Sequence, residues 1–175
     1  SNTIALTTSF VQPGVTYTLT VSNVRDRAGN VIAPNSQITF EVVAFEAQDI
    51  GNPAIAGSLT PVGGGYDYSG GGTNLGGTSD QFAFAYTERT GDFDFQMRVQ
   101  TLSLSDVWAK SGLMARETLT ANSRFAAAIS TPSLAGAFFQ SRSTAGGAAT
   151  IQGSYPANYP NMYLRLKRVG TVFTG

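Results

Sequence analysis

The stretch that decides the fold is residues 92–99, Asp-Phe-Asp-Phe-Gln-Met-Arg-Val. Apolar and polar side chains alternate along it, and the apolar set is Phe93, Phe95, Met97 and Val99. Because successive side chains of a β-strand point to opposite faces, this pattern predicts a strand with one face in the core and one in solvent. No part of the chain shows a sustained helical period, so the sequence predicts an all-β fold.

Working outward, shorter stretches predict further strands. They are expected over residues 4–8, 15–22, 37–44, 66–68, 81–87, 108–117, 123–130, 135–142, 161–168 and 171–174, with 45–53 as a crossover. The glycine clusters between them indicate turns and bulges rather than phosphate loops, because no Lys-Ser/Thr pair and no helix follows them. Short strands with turn signals about every 8–12 residues are typical of β-sandwiches and jelly rolls.

Composition excludes several classes of function. Eleven basic residues balance eleven acidic ones, and the chain has no His and no Cys. Nucleic-acid binding needs clustered Lys and Arg, so no nucleic-acid partner is expected. Membrane insertion is not expected either, because Ser, Thr, Pro and Gly interrupt the uncharged stretches. Without His and Cys there is no Ser-His-Asp triad, thiol nucleophile or Cys/His metal site, and we expect no enzyme activity.

Three motifs stand in the first 44 residues: TYTLTV at 16–21, VRDRAGN at 24–30 and ITF at 38–40. Together they resemble the C-terminal half of bacterial Ig-like repeats. In that family the domain is a spacer in secreted or surface-anchored proteins. The resemblance therefore implies a partial Ig-like β-sandwich over residues 1–44.

A second set of motifs follows, of which WAKSGLMARE at 108–117 is the most specific. The others lie at residues 49–51, 80–82, 91–93, 123–125, 163–166 and 172–175. Together they resemble the concanavalin-like, laminin-G-like jelly-roll module of large secreted bacterial proteins. The resemblance implies an extracellular jelly-roll β-sandwich over residues 45–175 without a catalytic motif. Family members continue for several strands beyond the last motif, so the module is expected to lack its last strands.

Aromatic and polar residues of the second part are candidates for ligand binding. Tyr155, Asn158 and Tyr159 belong to a low-charge loop over residues 153–162, where tyrosine rings can stack on sugars or close the edge of the core. Trp108, the only tryptophan, is either a sugar platform or a core residue of a predicted strand. Arg142 is the only charged residue between 125 and 162 and is a candidate hydrogen-bond donor to the ligand.

Two aspartates are candidates for a different chemistry. Asp92 and Asp94 share the polar face of the predicted strand, about 7 Å apart. Such a pair could ligate calcium together with loop carbonyls, act as acid and base in glycoside hydrolysis, or form a solvated face with Arg98 nearby. Calcium is the only cofactor considered.

Within 108–117, Arg116 and Glu117 point to opposite faces if the segment is a strand. An inward Arg116 would need a carboxylate partner, with Asp80 or Asp106 as candidates. Gly112 is expected to mark a β-bulge, because the alternation is poor across it.

These observations lead to two expected functions. The first is a non-catalytic, extracellular or cell-surface module that binds polysaccharide or another extracellular polymer, or mediates adhesion. The second is a structural repeat of a filament or surface layer that pairs with itself or with neighbouring repeats through sheet edges. Residues 125–162 favour the second, because β-prone strands with little charge invite pairing at an exposed edge.

Overall fold

The computed structural model describes residues 11–132 and 135–175, and no helix occurs among them. The described strands, in chain order, are β1 (Thr16–Val21), β2 (Ser36–Glu41), β3 (Glu46–Ile50), β4 (Ser58–Val62), β5 (Gly65–Ser69), β6 (Phe82–Tyr86), β7 (Phe93–Val99), β8 (Ser111–Arg116), β9 (Phe125–Ser130), β10 (Ala137–Arg142), β11 (Thr150–Tyr155), β12 (Met162–Val169) and β13 (Val172–Thr174). All pairings whose register is known are antiparallel. The all-β prediction is confirmed, and the strand expected over residues 4–8 lies outside the described residues.

The expected crossover over residues 45–53 is wrong in part, because β3 occupies Glu46–Ile50 and pairs with β6. The sequence of β3 is EAQDI, in which only Ile50 is fully buried. A strand that buries so little apolar surface has no clear alternation, so its sequence does not distinguish it from a loop. Hydrogen bonding to β6 makes it a strand.

The chain forms two compact units. The first comprises residues up to Ala47 together with Ser58–Ser69 and Ala85–Thr87. The second comprises Gln48–Gly57, Gly70–Phe84 and Glu88–Gly175. The domain boundary expected between residues 44 and 45 stays a prediction.

Aromatic contacts hold the first unit together. Across the β1–β2 pair, the Tyr17 ring stacks on Phe40 with 5.9 Å between ring centroids. Tyr66 of the β4–β5 hairpin donates a hydrogen bond to the carbonyl oxygen of Val43 at 3.2 Å, and its ring meets Phe45 edge to face at 5.7 Å. Aromatic pairs contribute about 0.5–1.5 kcal/mol beyond the area they bury, which matters in a unit this small.

The VRDRAGN motif forms a self-contained turn. The Oδ1 atom of Asp26 accepts the backbone N–H groups of Ala28 and Asn30, each at 2.9 Å, and Oδ2 accepts Nδ2 of Asn30 at 2.8 Å. These hydrogen bonds lower the pKa of Asp26 below its ordinary value, and the bond from the Asn30 side chain has the largest effect. Gly29 adopts φ +89°, a conformation that favours glycine, so the motif is explained by turn geometry alone.

The second unit is a sandwich of two antiparallel sheets. One has four strands in the order β11-β10-β9-β8, and the other has three in the order β13-β12-β7. Between them lies a core cluster of buried side chains made of Val99, Ala128, Ala137, Met162 and Leu164. β7 shows the alternating burial that its sequence predicts, with Phe93, Phe95, Met97 and Val99 on the inner face.

The four-stranded sheet is covered on its other face as well. There Leu75 packs against Phe125, Ala127, Ile129 and Phe138, and every residue of β9 is buried. Residues 74–80, which we call the covering segment, run over this face. The register from β8 to β9 is continuous through Gly112, so the expected bulge is wrong. Glycine stands there because a Cβ would lie 2.1 Å from the carbonyl oxygen of Ala128.

Candidate functional site

One end of the sandwich in the second unit collects the aromatic residues that the sequence singles out. In the four-stranded sheet, Ser111 pairs with Ser130, Ser130 with Ala137, and Ala137 with Tyr155. One row of paired residues across the sheet therefore runs from the first residue of β8 to the last residue of β11. The segment before β8 and the segment after β11 leave the sheet at the same end.

The three-stranded sheet ends at the same place. Val99, the last residue of β7, pairs with Met162, the first residue of β12. The connection over residues 100–110 therefore begins beside the point where the connection over 156–161 ends, and their other ends lie at the two edges of the four-stranded sheet. The Tyr159 hydroxyl donates to the carbonyl oxygen of Thr131 at 2.9 Å, which ties the second connection to the end of β9. We call Trp108, Tyr155, Asn158 and Tyr159 together the aromatic end.

Trp108 lies in the connection over 100–110 and is 57% exposed. The expected strand over 108–117 begins only at Ser111, so the alternative of a core Trp108 is wrong. Asp106 explains the difference: its Oδ1 accepts the N–H of Trp108 at 2.7 Å, and its carbonyl oxygen accepts the N–H of Ala109 at 3.1 Å. This aspartate turn holds the tryptophan outside the sheet.

Two apolar side chains of the same connection, Leu104 and Val107, are exposed as well. The connection therefore presents an apolar surface on a turn that its own hydrogen bonds keep in place. Lys110 anchors its far end, because Nζ donates to Asn74 Oδ1 at 2.8 Å and to the carbonyl oxygen of Leu75 at 2.9 Å. Burial lowers the pKa of Lys110, and the charge of Asp80 opposes this effect.

Tyr155 and Asn158 are exposed, and Tyr159 is not. Tyr155 is the last residue of β11 and is 69% exposed. Asn158 is exposed, and its carbonyl oxygen accepts the N–H of Asn161 at 2.7 Å. Tyr159 is half-buried against the core cluster between the sheets. Because its hydroxyl is also hydrogen-bonded, Tyr159 closes the edge of the core. This is the second of the two roles that the sequence analysis considered for the tyrosines of this loop.

Arg142 lies at the opposite end of β10 and is buried, so its predicted role in ligand binding does not agree with its position. Its Nη1 and Nη2 atoms donate to the two carboxylate oxygens of Asp80 at 2.8 and 2.7 Å. Its remaining donors bind main-chain oxygens, among them Gly77 at 2.7 Å and Gly147 at 2.9 Å. The guanidinium carbon lies 5.0 Å from the centroid of the Phe125 ring.

Arg116 approaches the same carboxylate. Its Nη1 is 3.5 Å from Asp80 Oδ2, so the prediction of an inward Arg116 with Asp80 as partner is confirmed. Burial lowers the pKa of Arg116, and the Asp80 charge raises it. Arg116 of β8 and Arg142 of β10 both lie opposite Phe125 of β9. The carboxylate of Asp80 therefore lies close to two arginines that stand in one row across the sheet. We call Asp80, Arg116 and Arg142 the buried ion cluster.

The ion cluster fastens the covering segment to the sheet. Gln140 Nε2 donates to the carbonyl oxygen of Leu75 at 3.1 Å, and Arg142, two residues further along β10, binds the carbonyl oxygen of Gly77. Asp80 N–H donates to the carbonyl oxygen of Ala121 at 2.9 Å. The cluster therefore has a structural role at the end remote from Trp108.

Asp92 and Asp94 each bond to other groups of the protein, an arrangement that does not favour the predicted calcium site. Arg165 holds both oxygens of Asp94, with Nε at 2.7 Å from Oδ1 and Nη2 on Oδ2. This pairing lowers the pKa of Asp94 below its ordinary value. Asp92 Oδ1 accepts the N–H of Gly170 at 2.7 Å. Within residues 11–132 and 135–175, no group of three or more acidic residues is placed to hold a metal ion. The two aspartates form a polar face with Arg165, rather than Arg98, as partner.

Sequence reasoning did not place Tyr163 in a site. It stands on the outer face of β12 and is 67% exposed. Its signal was readable, because residues 162–167 (MYLRLK) alternate as clearly as β7, with Tyr163, Arg165 and Lys167 on the polar positions. Its ring therefore belongs to the outer face of the three-stranded sheet.

Comparison with known protein families, curated proteins and solved structures finds no match to this chain. The two family resemblances therefore stay predictions. No helix among the described residues is long and apolar enough to cross a membrane.

Proposed function

We propose that this chain is a non-catalytic extracellular β-sandwich module that binds a polysaccharide at its aromatic end. The observation that supports this best is the strand register, which brings an exposed tryptophan and an exposed tyrosine to one end of the sandwich. The C–H face of a sugar ring stacks on an aromatic face, so aromatic side chains of this kind are the natural platform for a pyranose polymer.

Trp108 is the main platform in this proposal. A tryptophan packed into the core would stabilise the fold by burying its large apolar surface, and this chain leaves its only one exposed. Because Asp106 already fixes the turn, the ligand need not order the loop, and the entropic cost of binding is reduced. Leu104 and Val107 of the same connection add exposed apolar surface.

The polar part of the site comes from Tyr155 and Asn158. The Tyr155 hydroxyl and the Asn158 amide can donate to and accept from sugar hydroxyl groups. No charged residue occurs between Arg142 and Arg165, so Tyr155 and Asn158 are suited to contacts with the hydroxyl groups of the ligand. Tyr159 supports the connection from below through its hydrogen bond to Thr131.

Binding to a panel of soluble and insoluble polysaccharides tests the proposal, with affinity electrophoresis and pull-down as readouts. For a ligand that binds, Trp108→Ala and Tyr155→Ala should each weaken affinity by about tenfold, which corresponds to about 1.4 kcal/mol. Val172→Ala is the matched control, because Val172 is an equally exposed apolar residue at the opposite end. A panel without any ligand, or equal affinities for Trp108→Ala and Val172→Ala, would contradict the proposal.

A second candidate function is self-association through β11. Every residue of this strand is exposed and none is charged, and β10 is its only neighbour in the four-stranded sheet. Such an edge offers unpaired main-chain groups to a second copy. Size exclusion with light scattering should then show concentration-dependent association, which Ile151→Lys abolishes by placing a charge on the edge. Monomers at all concentrations would exclude this second function.

A further inference from the structure

The outer face of the three-stranded sheet carries a pair of side chains suited to one kind of ligand. Tyr163 of β12 lies directly opposite Arg98 of β7, and both are exposed. Directly opposed residues of an antiparallel pair have Cβ atoms about 4.5–5.5 Å apart, so the two side chains leave the sheet side by side. The Arg98–Tyr163 pair is next to the Val99–Met162 pair, so it lies beside the aromatic end.

The charges of this face leave Arg98 without a partner. The carboxylate of Asp94 is held by Arg165, and that of Asp92 accepts the N–H of Gly170. Within the described residues, Arg98 forms no ion pair with another side chain. The face as a whole carries three cations, with Lys167 the third, against two carboxylates. In a chain of zero net charge, this excess indicates an anionic ligand.

We propose that this face binds a carboxylated sugar residue of an acidic polysaccharide. The Tyr163 ring takes the C–H face of the sugar, and the Arg98 guanidinium binds its carboxylate through two parallel hydrogen bonds. Arginine suits this role because its planar fork matches the geometry of a carboxylate. The inference rests on the proposed function and adds to it the chemical class of the polymer.

An acidic polysaccharide suits this face better than a nucleic acid does, because the neutral polar residues Gln96 and Tyr163 stand among the cations. The cations Arg98, Arg165 and Lys167 are interrupted by Asp94, and a phosphate backbone would meet that carboxylate at close range. A polymer with carboxylates and many hydroxyl groups meets arginine, tyrosine and the amide of Gln96 in turn. The ligand therefore needs a carboxylate, hydroxyl groups and an apolar ring face.

The test compares polygalacturonate with the same polymer after its carboxylates are reduced to alcohols. The intact protein should bind the carboxylated form at least about tenfold more tightly, because a hydrogen bond to a charged group is worth that factor or more. Arg98→Gln should remove most of this preference, Arg98→Lys should restore part of it, and Tyr163→Ala should weaken binding to both polymers. Arg124→Gln is the matched control, since Arg124 is an exposed arginine of the same unit paired with Glu117.

The outcomes separate this inference from the proposed function. Equal affinity for the two polymers, or an Arg98→Gln variant that behaves as the Arg124→Gln control, overturns the inference. If neutral polysaccharides still bind in a Trp108-dependent manner, the proposed function stands without it. If neither polymer nor any neutral polysaccharide binds, both are overturned. A preference for the carboxylated polymer that weakens with added salt and with Arg98→Gln supports both.

Discussion

Replacing Asp80 with asparagine is the sharpest test of what holds the second unit together. The change keeps the size of the side chain and removes its charge. The amide oxygen of the new side chain can still accept a hydrogen bond from Arg142. Its NH2 group, however, places two N–H donors against the N–H donors of the guanidinium groups. Two arginines then share a buried site with no carboxylate.

The expected loss follows from the burial of the three side chains. The side chains of Asp80 and Arg142 are 0% exposed, and that of Arg116 is 2% exposed. Removing one partner of a buried ion pair costs about 3–5 kcal/mol, because the remaining charge stays desolvated. In a chain of this size each kcal/mol lowers the melting temperature by about 2–4 °C, so a drop of about 6–20 °C is expected.

Thermal and urea unfolding followed by tryptophan fluorescence measures this loss. Trp108 is the only tryptophan and belongs to the second unit, so the signal reports on the unit that contains the cluster. Asp94→Asn is the matched control, because it breaks an equally well-formed pair whose members are largely in water. A melting temperature for Asp80→Asn no lower than that of the control would refute the reasoning.

Two further predictions concern backbone approach and acid stability. Gly112→Ala should cost about 1–3 kcal/mol, because its Cβ would meet the carbonyl oxygen of Ala128, whereas Gly77→Ala, with open space around it, should be near neutral in the same urea titration. Arg165 lowers the pKa of Asp94 from its ordinary 3.8, so the contribution of this pair is complete above that pH and is lost as the pH falls through the lowered value. The difference in urea midpoint between the native chain and Asp94→Asn should therefore vanish in strong acid, and a constant difference would contradict it.

The part of the fold that sequence reasoning predicts is the part that alternation encodes. β7 and β12 each bury one face, so their apolar residues recur at every second position and mark the strands directly. β9 was also expected, although all its residues are buried and its sequence FAAAIS does not alternate. β3 was missed because pairing, and not burial of an apolar face, makes it a strand.

The site residues were harder to predict because their environment is set by distant partners. Arg142 can be buried because it pairs with the carboxylate of Asp80, which lies 62 residues away in the sequence. No local sequence pattern indicates such a distant partner. Trp108 was assigned to a strand on the strength of the residues that follow it, whereas Asp106, two residues before it, already signalled a turn. Low charge and proline predict a surface loop over residues 153–162, and Tyr155 and Asn158 are indeed exposed, although Tyr155 is the last residue of β11 and not part of a loop.

In the second unit, the side chains that stabilise the fold are different from those proposed for ligand binding. The covering segment and the ion cluster seal one face of the four-stranded sheet, and the core cluster fills the space between the sheets. The aromatic end and the outer face around Arg98 and Tyr163 remain open to solvent, as does the edge strand β11. The side chains proposed for binding therefore take no part in the buried ion cluster, and none belongs to the core except Tyr159. Under the proposed function, sequence changes at Trp108 or Arg98 would alter the ligand without weakening the fold, which is the property that a binding module needs and a purely structural repeat does not.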